Sequence, residues 1–187
     1  MRRIFRPFLF WTLILTACSA VPASPQPVPS TVTETPVVVP TTPALNPQDC
    51  GYQWATQDLP ELSKSFQASI QVLQPPARAN AYAFGENCLR ADGSIGGFSA
   101  METDFNVTLQ VNDLANESDL GGWIVKVMQV IQKIPQDEIV GPQAGRISMT
   151  FQSKNDQKGI NFYVNQYQSL PAGLNNSQIY QTLQLPH

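Results

Sequence analysis

Residues 102–111 read Glu-Thr-Asp-Phe-Asn-Val-Thr-Leu-Gln-Val. In an extended chain, Thr103, Phe105, Val107, Leu109 and Val111 fall on one side, and Glu102, Asp104, Asn106, Thr108 and Gln110 on the other, because successive strand side chains point to opposite faces. The alternation predicts a strand with one face in a core and the other in water. Such a strand needs partners in a sheet and a layer over its apolar side, which rules out an all-helical bundle.

Toward the C-terminus, Asn116 and Asp119 open a helix whose apolar stripe is Leu120, Trp123, Ile124, Val127, Ile131 and Ile134, ending at Pro135. Ile147, Met149 and Phe151 then alternate with Ser148, Thr150 and Gln152. After a turn at 155–159, Ile160, Phe162 and Val164 alternate with Asn161, Tyr163, Asn165 and Tyr167, and a short helix from Asn176 to Leu183 follows. Toward the N-terminus, Asp92-Gly93 and Gly96-Gly97 mark a turn. Before it, Arg78–Leu89 reads as a strand with Ala79, Ala81 and Ala83 on one face and Tyr82 and Phe84 on the other. Asp58 with Glu61 resembles a capping box, and Leu59, Leu62, Phe66, Ile70 and Leu73 carry a helix to Gln74, where Pro75-Pro76 stops it. The expected class is α+β, in the order α-β-β-α-β-β-α, with helices packed on one face of a four-stranded antiparallel sheet. The repeated helix-plus-hairpin order hints at an internal duplication.

The solvent face of that sheet is the candidate binding face. It gathers Tyr82, Phe84, Asn106, Thr108, Gln110, Thr150, Gln152, Asn161, Tyr163, Asn165 and Tyr167, which combine aromatic rings with amides and hydroxyls and carry little charge. Such a surface stacks on sugars or buries against a protein, because tyrosine offers apolar area with a polar tip. Glu102 and Asp104 lie two apart on the same face and form a candidate carboxylate pair for acid/base or cation chemistry. Other chemistry is thinly supplied. The sole histidine is His187, and the spacings of zinc sites, phosphate-binding loops and calcium loops are missing. No metal, cofactor or catalytic residue is expected, and a formal charge of -3 argues against a nucleic-acid partner.

The first residues carry a different signal. Arg2, Arg3 and Arg6 precede an apolar run from Phe8 to Leu15 that is too short to span a bilayer. The junction Leu15-Thr16-Ala17-Cys18 resembles the lipobox of bacterial lipoproteins. That resemblance implies cleavage before Cys18, a diacylglycerol on its thiol, an acylated new amino terminus, and hence a membrane partner reached through lipid. In lipoproteins of double-membrane bacteria, a serine such as Ser19 after the cysteine permits transfer to the outer membrane.

The chain therefore divides into a signal peptide (1–17), a lipid-anchored Pro/Thr-rich tether (18–48) and one α+β domain (49–187). Without the signal the charge is -6, with 8 basic residues against 14 acidic ones. With Cys18 assigned to lipid, Cys50 and Cys88 form an even pair that reads as a disulfide in an exported domain; the other reading is a reactive thiol, but no neighbouring histidine is available to activate one. The expected function is that of an extracytoplasmic lipoprotein with a non-catalytic binding or envelope-assembly domain for a protein or glycan. Two other readings stand beside it, an envelope enzyme using the carboxylate pair and a structural accessory subunit of a membrane complex.

Overall fold

Strand β3 (Ile95–Gln110) extends the alternating stretch backwards and forms the spine of the sheet. The structure, a computed structural model, describes residues 50–185; the signal, Cys18, the tether and His187 lie outside the described residues. The other elements are β1 (Gly51–Asp58), α1 (Pro60–Leu73), β2 (Arg78–Leu89), α2 (Glu117–Ile131), β4 (Ala144–Ser153), β5 (Asp156–Tyr163), α3 (Val164–Gln168) and α4 (Asn176–Leu183). A 3-10 turn, Gln136–Glu138, precedes β4.

The core forms where the two periodicities meet. Phe105, Val107 and Leu109 of β3, Ile147, Met149 and Phe151 of β4, and Ile160 and Phe162 of β5 point to one side. Leu62, Phe66 and Ile70 of α1, spaced one turn apart, cover them together with Leu120, Ile124, Val127 and Met128 of α2 and Tyr180 of α4. Phe66 meets Phe105 edge-on, with centroids 5.0 Å apart. Gly121 lets α2 approach α4 closely: a methyl there would overlap the Asn176 carbonyl and stand 3.1 Å from its Cα. Asn116 caps α2 as expected, its side chain accepting the Asp119 N–H at 3.1 Å.

The α+β class holds, but the sheet differs from the expected one in two respects. Among the described residues it has five strands in the order β1-β2-β3-β4-β5, not four. The added strand, β1, pairs antiparallel with β2 from Gly51↔Leu89 to Asp58↔Tyr82. The sheet is also mixed, because β3 and β4 run parallel while the other neighbours are antiparallel. The reason is α2, which carries the chain from the end of β3 back to the end where β3 began, so β4 starts in the same direction. The expected capping box at Asp58 is absent as well: Asp58 ends β1, Leu59 takes the N-cap position without a side-chain bond, and Pro60 supplies the preset φ of a first turn.

β2 begins four residues beyond the end of β1, and α1 seals the strand edge left open there. Ser63 Oγ donates to the Ala81 carbonyl at 2.8 Å and accepts the Ala81 N–H at 2.9 Å. Gln67 Nε2 donates to the Ala77 carbonyl at 2.9 Å while its Oε1 accepts the Ala79 N–H. Gln74 does the same for β3, its side-chain amide bonding the N–H and the C=O of Gln110. These side chains stand in for the missing strand and satisfy groups that are costly to leave unpaired.

The Cys50–Cys88 disulfide, with Cα atoms 5.0 Å apart, ties the start of β1 to β2. Above the core, β1 and the distal halves of β2 and β3 project as a three-stranded tongue in which every β1 residue except Ala55 is exposed.

Candidate functional site: the outer face of the sheet

The helices contribute their buried side chains to one core, on one face of the sheet. The opposite, outer face is built from the alternate residues of all five strands, and the register fixes which of them are neighbours. One row runs across the sheet: Asp58 opposite Tyr82, Tyr82 opposite Asp104, and Arg146 opposite Tyr163. Asp104 and Arg146 close the row, since Asp104 Oδ1 accepts the Arg146 backbone N–H at 2.7 Å. The next row toward the tongue is Thr56, Phe84 and Glu102, and beyond it lie Trp54, Glu86 and Ser99.

The Asp104 contact follows from a bulge. Thr103 pairs with Ala144 but Phe105 with Ile147, so β4 carries an extra residue opposite Asp104. The displaced Arg146 N–H finds the aspartate instead of a strand carbonyl. The other Asp104 oxygen lies 4.0 Å from Arg146 Nε, a separation at which a half-exposed arginine contributes little. Asp104 itself is only 2% exposed, so it is a buried carboxylate and not part of a solvated strand edge.

Glu102 converges on the same point. A methyl at Gly145 would stand 2.6 Å from Asp104 Oδ1 and overlap the Glu102 carboxyl group, so both acids lean over that glycine. Burial, and secondarily the charge and hydrogen bonding of Asp104, push the Glu102 carboxyl above the ordinary glutamate range. Arg146 is held more firmly in its charged form, first by the Tyr82 hydroxyl and then by Asp104 and Tyr163.

Aromatic surface surrounds this polar centre. Trp54 stacks on Phe84 with centroids 5.3 Å apart and planes 12° apart. Tyr52 and Trp54 are 62% and 61% exposed, and Tyr163 is 43% exposed. At the β5 end, a groove of about 410 Å³ runs beside Arg146, Asn161, Tyr163 and Gln166, bounded by Leu183 at the end of α4 and Leu185 just past it.

Most of the expected face is assembled by the register. Tyr82, Asn106 and Asn161 share it with Tyr163, as do Phe84, Thr108, Gln110, Thr150 and Gln152. Asn165 and Tyr167 do not join it. Gln166 Oε1 accepts the Tyr163 N–H at 2.6 Å, which ends β5 and starts α3, so Asn165 sits on that helix and Tyr167 packs against the core. The sequence reading missed Tyr52, Trp54 and Arg146. Tyr52, Trp54 and Thr56 do alternate with Gln53, Ala55 and Gln57, but with solvent on both sides they lack the apolar-polar contrast that marks a half-buried strand.

Among the described residues, no cluster of three or more His, Cys, Asp or Glu side chains could hold a metal ion, and no helix is long and apolar enough to cross a membrane. No family model matches the chain, and no curated protein or solved structure matches it.

Proposed function

We propose that the chain is a lipid-anchored extracytoplasmic lipoprotein whose domain is a non-catalytic binding or envelope-assembly module, holding a protein or glycan on the outer face of its sheet. The observation that carries the reading is one of coverage: helices bury one face, while the other keeps exposed aromatic rings beside amides, hydroxyls and a polar centre. Aromatic side chains with polar tips are enriched where proteins bind. The anchor rests on the lipobox ending at Cys18, with diacylglycerol and an amide-linked acyl chain such as palmitate giving stable membrane attachment. The disulfide is compatible with an oxidising compartment.

Two experiments test this. Cys18→Ser abolishes incorporation of labelled fatty acid and blocks processing; a variant that still incorporates lipid and is processed like wild type removes the anchor. Affinity capture from an envelope extract with the wild type and a Trp54→Ser/Tyr163→Ser variant of equal thermal stability recovers a defined partner with the wild type alone, and equal capture by both removes the face.

A second reading has its own support, since Glu102 and Asp104 converge as a pair of acid/base carboxylates would. Against it, one Asp104 oxygen is occupied by the Arg146 backbone N–H, which is a structural task. An envelope enzyme of this kind loses turnover in Glu102→Gln and keeps it in Trp54→Ser.

A further inference from the structure

The sheet treats its open edges in two ways. Where β2 runs past β1, Ser63 and Gln67 bond the backbone of Ala77, Ala79 and Ala81 on the side that β1 leaves vacant. Backbone groups alternate in direction along a strand. Ala83, Gly85, Asn87 and Leu89 therefore face Gln57, Ala55, Gln53 and Gly51, and the N–H and C=O groups of Tyr52, Trp54, Thr56 and Asp58 turn outward. No corresponding side chain among the described residues caps them.

Edge strands are ordinarily blunted by lysine, proline, a bulge or a covering element. Gly-Tyr-Gln-Trp-Ala-Thr-Gln-Asp contains neither lysine nor proline, pairs with β2 without a register shift, and is exposed almost throughout. It is also held rigid, by the disulfide at its start and by the Trp54–Phe84 stack at its middle. A rigid open edge needs no ordering of its own when a strand is added, so that only the added segment loses freedom.

The side chains along this edge indicate what it would accept. Tyr52 and Trp54 offer exposed rings, Glu86 of β2 stands directly across from Trp54, and Asp58 closes the strand. Arg90, at the other end, has its Nε buried. Aromatic faces and carboxylates together attract cations, through the ring quadrupole and by direct charge. The β1 of a second copy would bring one aspartate and no basic residue to this edge.

We infer that the outer edge of β1 is a strand-addition site for an extended segment of a partner protein that carries basic side chains on alternate residues. The inference rests on the proposed binding role and narrows the partner to a polypeptide. Main-chain hydrogen bonds to Tyr52, Trp54, Thr56 and Asp58 supply affinity, and the basic side chains over Trp54 and Glu86 supply selectivity.

The test uses the full chain in detergent micelles with three synthetic decapeptides: one alternating lysine and threonine, one with glutamate for lysine, and one N-methylated at alternate backbone nitrogens. The lysine peptide binds and slows amide exchange at Tyr52, Trp54, Thr56 and Asp58. The other two bind weaker by on the order of tenfold or more, and Glu86→Lys reverses the preference between lysine and glutamate. Equal binding of all three peptides, or no binding of any, overturns the inference, as does concentration-dependent self-association that protects β1 without peptide. Failure here combined with envelope capture that still depends on Trp54 and Tyr163 rejects the edge alone; loss of that capture dependence rejects the outer face itself.

Discussion

Trp54 and Phe84 stack diagonally across β1 and β2, planes 12° apart and centroids 5.3 Å apart, on a part of the sheet that no core reaches. A pair of this kind is worth about 0.5–1.5 kcal/mol beyond the area it buries. It stiffens the tongue and leaves the indole exposed.

Trp54→Ala is expected to cost no more than about 1.5 kcal/mol in denaturant unfolding, because it removes the stack and little else. The same variant loses most of the partner capture. A collapse in stability instead would make Trp54 a structural residue.

Asp104 gives the opposite pattern. Asp104→Ala leaves the Arg146 N–H without its acceptor and costs about 1–3 kcal/mol, whereas Asp104→Asn retains an oxygen in place and costs less. Equal losses in the two variants, measured by denaturant unfolding, would show that the charge of Asp104 matters more than its hydrogen bond.

Glu102 makes stability depend on pH in an unusual direction. Its folded-state pKa is raised by burial and by Asp104, so the folded state binds the proton more tightly than the unfolded chain does. The resulting contribution is complete below the unfolded value of about 4.3 and is lost as pH rises through the higher folded value. Glu102→Gln should flatten this decline and be at least as stable as wild type at neutral pH. In an NMR titration, Asp104→Asn should move the Glu102 carboxyl back toward the ordinary range.

The disulfide closes a loop with a sequence separation of 38. On the chain-entropy model that is worth about 4 kcal/mol. Cys50→Ser/Cys88→Ser should lower stability by up to this amount, and hydrogen exchange should rise first in β1, which is then held only by its ladder to β2 and the stack, with no core packing. Uniform acceleration across the core would contradict the tongue as a separately held unit.

Gly121→Ala tests the contact between α2 and α4. The added methyl meets the Asn176 backbone, which cannot rotate away as a side chain would. Overpacking of this kind costs about 1–3 kcal/mol in thermal or denaturant unfolding, and a neutral result would show that α4 shifts freely.

What the sequence disclosed and what it hid follow one physical rule. Elements with an apolar face announced themselves: β3 by Phe105, Val107 and Leu109, and α2 by Leu120, Ile124 and Val127. β1 has no buried face and left no contrast to read. The parallel pairing of β3 and β4 depends on where α2 returns the chain, and neither strand's own pattern records that. The stop at Tyr163 was masked because Asn165 and Tyr167 continue the alternation, while the Gln166 side chain ends the strand. Glu102 and Asp104 were visible as a pair, but the bulge that buries Asp104 against Arg146 arises only from register.

Site-specific photocrosslinking in the native envelope tests the binding face most directly, with a benzoylphenylalanine placed either at Asn161 on the outer face or at Val72 on exposed α1. A discrete adduct is expected from Asn161 and none from Val72. An adduct from Val72 alone would contradict this expectation and move the contact surface to the helices.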